Sequence, residues 1–388
     1  MTVQAGVLAG RTLLFRVAMV VGAGCLLAAC AASRSAAPSK ALTTIVPPTQ
    51  LAPPSTVPGV AGTPIPRSVS FSDPLHGAVL ASTCAANCRY VAWTSDDGGR
   101  TFRPAGTITE SPADVPGFVD GVVANGSDLL AWGAGGAWAS HDGGATWSPH
   151  KLADGAQDVL AVAAAGGSWW VVQDPSGEGT GDDVIVQDGG GRPFLALGGP
   201  IAGGVVGAAR GSPTSAVLLY DDHLAVTHDG GQTWTQRERP CPGGAGAYSN
   251  GVVSEAPDGT VWLACAGEPS TGFQGKALYR STDAGTTWIA VEDCLPMPAG
   301  CPWPGGMSGY LVALASPSAT SVWMGLARGG LVGTLDGGHT WLQPPVGGGD
   351  LGVSHIEFTD PQHGWAIVER GLWRTTDGGR TWARTPSF

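Results

Sequence analysis

The sequence predicts an all-β fold, a seven-bladed β-propeller of four-stranded antiparallel blades, and three observations carry that expectation. A polar nonapeptide ending in an aromatic residue recurs along the chain. Short apolar runs separated by Gly, Asn and Asp fill the intervals, and helical periodicity is absent beyond the first thirty or so residues. With 62 glycines and 30 prolines in 388 residues beside 43% hydrophobic residues, the composition suits many short strands and tight turns better than a helical core.

The repeat is clearest in its last copy, RTTDGGRTW at 374–382. ASHDGGATW at 139–147, VTHDGGQTW at 226–234 and GTLDGGHTW at 333–341 restate it. Aligned on the aspartate, the copies fall at Asp97, Asp142, Asp188, Asp229, Asp283, Asp336 and Asp377, in steps of 45, 46, 41, 54, 53 and 41 residues. Such a period is that of one propeller blade. The 322 residues from Arg67 to Phe388 divide into seven units of 46, so seven blades use the whole of 67–388. Six copies carry an aromatic five residues after the aspartate: Phe102, Trp147, Trp234, Trp288, Trp341 and Trp382. The third, VQDGGGRPF, has Pro193 there and is read as a degenerate blade.

The physics of the motif is local. The carboxylate accepts backbone N–H groups of its own turn, joined by the Ser or Thr hydroxyl two residues earlier. Paired glycines permit the positive φ of a tight hairpin, and the tryptophan opening the next strand wedges between blades. The seven aspartates are therefore read as structural. Blade two shows the strand order: GVVANG from 121 innermost, DLLAWGA from 128 second, GAWASHDGG from 136 third and TWSPHKL from 146 outermost. The order recurs in VVSEAPDGTVWLAC of blade five and LVALASPSATSVWMG of blade six.

These copies have the form Ser/Thr-x-Asp-x-Gly-x-Thr-Trp, the Asp box. On them the chain resembles the BNR/Asp-box repeat propellers, most closely the photosystem II stability/assembly factor-like branch. There F-x-D-x-x-x-G-W precedes each box; FSDPLHGAV at 71–79 and FTDPQHGWA at 358–366 fit it in the first and last blades. The resemblance covers nearly all of the chain beyond residue 66 and implies a role in assembling or stabilising a membrane complex. The photosynthetic proteins are thought to use a basic patch, whereas the long loops here carry net negative charge, which puts a photosystem partner in doubt.

The N-terminus reads as a targeting segment, 1–29. Arg11 and Arg16 precede an apolar run at 17–27, too short to span a bilayer as a mature helix. Leu27-Ala28-Ala29-Cys30 resembles a bacterial lipobox, with Cys30 the lipidated residue; an ordinary signal peptide with Cys30 incidental is the alternative. Residues 30–66 read as an extended Pro/Ala/Thr-rich tether, with eight prolines in 31–66. Loss of the two arginines takes the formal charge from −11 to −13. That balance disfavours nucleic acid and leaves a basic protein patch, a cation or a neutral glycan as partner. The expected location is extracytoplasmic, held to the membrane by the lipid.

Of eight cysteines, Cys25 is removed and Cys30 lipidated, leaving Cys84, Cys88, Cys241, Cys265, Cys294 and Cys301 as disulfide candidates. Six cysteines allow fifteen pairings; proximity favours 84–88, 241–265 and 294–301. No CxxC pair exists and no histidine lies near these cysteines, against a zinc site.

A four-stranded meander has two ends. The Asp boxes share one with the first-to-second turns. The other end holds the six cysteines and the long loops 173–183, 239–250, 266–276 and 292–308. Long loops on a rigid scaffold are a usual place for binding, so that face is the candidate site for a protein or glycan. Tyr248, Phe273, Trp303 and Met307 are its apolar contacts, and Glu178, Asp182, Asp183, Glu292 and Asp293 its acidic rim.

No catalytic residue, cofactor or metal is assigned. The enzymatic alternative is a sialidase-like glycoside hydrolase, which needs three carboxylate-gripping arginines and a tyrosine–glutamate pair. Only five tyrosines occur, and Arg100, Arg280, Arg374 and Arg380 lie in or beside Asp boxes, at the wrong end. His141, His228 and His339 sit in different blades, too far apart to share an ion, and His76 and His363 occupy matching turns. His355 and Glu357, on a first strand, are placed toward the channel, a buried hydrogen-bonded pair being the commoner outcome. The expected role is a non-catalytic binding or assembly scaffold.

Overall fold

In the computed structural model the described residues are 42–43, 63–85, 87–112, 118–152, 158–165, 168–174, 185–188, 193–196, 205–241, 250–267, 274–293, 309–347 and 352–388. Among them the strands form seven sheets, each containing an antiparallel meander of four consecutive strands. Blade one runs Ile65–Phe71, Gly77–Cys84, Asn87–Ser95, Arg103–Pro112. The next first strands are Gly121–Asn125, Asp158–Ala165, Val205–Ala209, Asn250–Glu255, Tyr310–Ser318 and Val353–Phe358. Each touches the first strand of the following sheet, and the seventh touches the first, so the sheets close into a ring.

Three details differ from the sequence expectation. Ile65 and Pro66 pair with Ser82 and Ala81, so the first strand opens inside the stretch read as tether. Leu42–Thr43, also in that stretch, pairs in parallel with Trp341–Leu342 and gives blade six a fifth strand. The outer strand of blade two is only Ser148–Pro149, with the His150 N–H donating to the Ala137 carbonyl beyond it at 2.8 Å.

The core is distributed as slabs between adjacent blades. Leu80, Tyr90 and Ile108 of blade one pack with Val122 and Leu129 of blade two, Trp147 lying against them. Trp262 and Leu278 of blade five meet Met324, Val332 and Trp341 of blade six. Fully burying one such side chain contributes about 1.5–3 kcal/mol, so each seam is held by several.

Six Asp boxes share one bonding scheme. Oδ1 accepts the N–H of the threonine four residues on at 2.8–2.9 Å, and Oδ2 its hydroxyl at 2.6–2.7 Å. The Ser or Thr two residues earlier donates to Oδ1 and accepts the N–H of the second glycine at 2.8–3.0 Å. These bonds, the threonine hydroxyl first, hold the carboxyls of Asp142, Asp229 and Asp283 at about 2. Asp188 ends the strand Ile185–Asp188 and Pro193 opens the next.

The boxes also join blades. Trp365 Nε1 donates to the Gly98 carbonyl of blade one at 3.3 Å, and Trp323 Nε1 to the Gly378 carbonyl of blade seven at 3.1 Å. A Cβ on Gly379 would lie 2.2 Å from the Trp323 ring, which is why the box's second glycine admits no substitute there. In blade five Ala284 stands, at φ 56°, where five other boxes have glycine at 71–74°. Left-handed backbone costs a residue with a Cβ about 1–2 kcal/mol, partly offset by the entropy glycine loses on folding. Ala284→Gly is expected to raise stability by about 0.5–1 kcal/mol; a lower denaturation midpoint for the variant would contradict this reading.

Candidate functional site

Two places gather functional side chains: the described roots of the long loops, and the axial channel. At the loop end, Cys84 is bonded to Cys88 across the blade-one hairpin, and Cys241 to Cys265. The second bond ties the exit of blade four to the second strand of blade five. Nearby, buried Gln274 donates to the Gly267 carbonyl at 3.0 Å and accepts the Leu311 N–H at 2.8 Å. Buried Lys276 donates to the carbonyls of Gln274 and Gly309, both at 2.9 Å; burial pulls its ammonium down to about 8. The roots of loops 239–250, 266–276 and 292–308 are thus tied together by one disulfide and two buried side chains.

Of the residues the sequence assigned to this face, Cys294, Cys301, Glu178, Asp182, Asp183, Tyr248, Phe273, Trp303 and Met307 lie outside the described residues, as does the lipidation candidate Cys30. Asp293 ends the outer strand Ile289–Asp293 of blade five. Glu292 departs from its expected place on an acidic rim. It pairs with Leu278 in the sheet and is buried.

The axial channel encloses about 560 Å³. Its lining comes from the second half of the first strands and the turns that follow, so it opens on the Asp-box face; box and turn are joined there by the Gly98, Gly143, Gly230, Gly337 and Gly378 N–H groups donating to the first-to-second turns. The wall presents polar and apolar atoms in comparable share, Val69, Val122, Val253, Leu314 and Ile356 of the first strands being buried in the blade seams. Its polar side chains form inter-blade clamps. Ser70 Oγ accepts the Ala124 N–H at 3.1 Å and donates to Glu357 Oε1 at 3.3 Å, which also accepts the Phe71 N–H at 3.1 Å. One relay therefore spans blades two, one and seven. Ser254 Oγ accepts the Ser316 N–H at 2.9 Å across blades five and six.

His355 and Glu357 both line the channel, as one expectation had it, but they are not bonded to each other. Glu357 binds across the seam to blade one, and the His355 ring is bonded to the Val69 backbone there. Residues two apart on a strand share a face, and here the adjacent blade supplies nearer partners. Burial pushes the Glu357 carboxyl up to about 8, against the opposing Phe71 and Ser70 bonds, and pulls His355 down to about 4.

Sequence reasoning missed Glu255 and Arg210. Glu255 accepts the Gly211 N–H at 3.1 Å and the Ser215 hydroxyl, and burial lifts its carboxyl to about 7. Arg210 lies over Trp170 at 4.2 Å. The available signal was an isolated charge closing an otherwise apolar first strand. Both Glu255 oxygens are engaged, as are those of Asp360, which binds Gln362 and His363. Among the described residues the lining therefore offers one free carboxyl oxygen, Glu357 Oε2.

Seven meanders closed around such a channel define a β-propeller, and this chain is one. Two solved structures of YCF48 share the fold. The one described as bound to D1 peptide aligns with a TM-score of 0.56 at 19% identity over 86% of this chain and 99% of its own. That from Cyanidioschyzon merolae gives 0.56 at 17%, over 83% and 98%. An ancestral GH74 enzyme aligns at 0.57 and 13% identity over 89% of this chain, which spans 48% of that enzyme. No family model and no curated protein matches the sequence.

Proposed function

We propose that this chain is a lipid-anchored, extracytoplasmic Asp-box propeller that acts as a non-catalytic binding or assembly scaffold, with a protein partner on the loop face. The cross-tied roots of three long loops carry this reading. A disulfide and two buried polar side chains fix where those loops leave the scaffold, and loops held at their roots lose less entropy on binding. The YCF48 structure bound to D1 peptide supports a protein partner for a propeller of this form.

Crosslinking from membranes tests it. Replacing 268–273 by a Gly/Ser linker leaves Gln274 and Lys276 in place and is expected to abolish partner recovery while the propeller stays folded. Recovery of the same partners by both forms would sink the loop-face assignment. Cys30→Ala is expected to move the protein from the membrane pellet to the soluble fraction; a variant that still pelleted would rule out the anchor.

A further inference from the structure

The geometry points to the axial channel as a receptor for one cationic side chain, an arginine or lysine, presented by a partner protein on the Asp-box face. This goes beyond the loop face and does not depend on it. Three observations carry it.

First, the channel holds one free carboxyl oxygen. Glu357 Oε1 is held by Phe71 and Ser70, while Oε2 has no partner among the described residues. A carboxyl left half-bonded in a confined site gains most from a hydrogen-bonded cation. Second, the walls match the rest of such a side chain. Partly or fully exposed Val162, Ala164, Ala208 and Pro257 of the lining offer apolar surface to an aliphatic stem. The 560 Å³ volume accommodates a side chain with room for water. Third, the formal charge of −11 favours approach of a cation.

The other charged and titratable groups of the lining are accounted for. His355 and Asp360 lie on Glu357's own blade, and Glu255 with Arg210 on blades five and four; blades one, two, three and six place none in the wall. Glu255 and Asp360 already have partners for both oxygens. Glu357 must ionise to hold a cation, and its carboxyl stands at about 8 when the channel is empty. Binding therefore releases a proton.

The test is calorimetric titration of the full chain with three probes. One is a blocked peptide carrying a single arginine between oligoglycine arms, the second its counterpart with glutamine in place of the arginine, and the third free arginine. The arginine peptide is expected to bind, with affinity rising about tenfold per pH unit below 8 and levelling above it. Glu357→Gln keeps an acceptor for Phe71 but carries no charge. It is expected to bind the arginine peptide at least tenfold more weakly, with no pH slope. Equal affinity for the arginine and glutamine peptides, or a pH-independent affinity, would overturn the proposal even if the variant failed to fold. Free arginine binding as tightly as the peptide would make this a small-amine site and refute a partner side chain. Membrane crosslinking separates the two readings: loss of partner with the 268–273 replacement, but full recovery with Glu357→Gln, would leave the scaffold standing and discard the channel.

Discussion

Replacing Phe388 with alanine is expected to lower the unfolding free energy by about 3–5 kcal/mol, the range for truncating a buried phenylalanine. The size follows from where this residue sits. Blades one and seven hold the two ends of the ring's sequence and share no chain connection, so packing and hydrogen bonds alone close that seam. Phe388 is 2% exposed and meets Trp93 and Phe102 edge-on, each with ring centroids 5.5 Å apart. Ser387 Oγ accepts the Phe102 N–H at 3.3 Å, and Arg384 Nε donates to the Phe388 main-chain oxygen at 3.0 Å. Behind them Phe71 stacks on Trp365 with centroids 3.6 Å apart. Removing the Phe388 ring leaves a cavity that these fixed aromatics cannot collapse to fill. Tryptophan emission should shift to the red as the seam admits water, and the denaturation midpoint should fall. Leu75→Ala, at a residue 50% exposed, should change stability by no more than about 0.5 kcal/mol. Equal midpoints for wild type and Phe388→Ala would show that the seam does not limit the stability of the ring.

What could be read from the sequence was what is local in the chain. The Asp97 carboxylate reaches Ser95 and Thr101, two and four residues away, and glycines make the turn between them. All the parts of that device fall within one short window, so its recurrence counted the blades and gave the strand order. The seam and the channel were hidden because their partners lie far apart. Glu357 accepts from Phe71, 286 positions away, and Trp365 donates to Gly98, 267 positions away. Aligning the two F-x-D turns does place Ser70 and Glu357 at one position, just before Phe71 and Phe358. Yet only the closed ring shows that this position reaches across to the next blade, and so makes the glutamate a clamp. Lys276 was hidden for a related reason: a charged residue in a polar turn reads as solvated until Gly309, 33 residues on, is found beneath it.

Between pH 6.5 and 8 the protein is expected to lose stability as pH rises, and Glu357→Gln to remove the part of that loss found above pH 7. Glu357 and Glu255 have folded values of about 8 and about 7, above the usual carboxylate value, because burial disfavours their charge. A group raised in this way contributes stability that is fully present below the unfolded value. That contribution is lost as pH climbs through the folded one, since the unfolded chain gives up its proton first. His355 has the opposite sign. With a folded value of about 4, it stays neutral while the unfolded imidazole takes up a proton below about 6.5, so it destabilises as pH falls toward 4. The carboxyls of Asp142, Asp229 and Asp283, held at about 2, add a further loss only below the ordinary aspartate range. Above pH 6.5 the two glutamates therefore dominate, and above 7 Glu357 carries most of the loss. Buried Lys276, at about 8, has the opposite sign and offsets part of it as pH nears 8, because the unfolded ammonium keeps its proton. Melting temperatures of Glu357→Gln should match wild type near pH 4.5 and exceed it at pH 8, because the amide keeps the Phe71 bond and has no proton to lose. A variant that melted below wild type at pH 8 would mean that the ionised carboxylate is itself a stabilising part of the clamp.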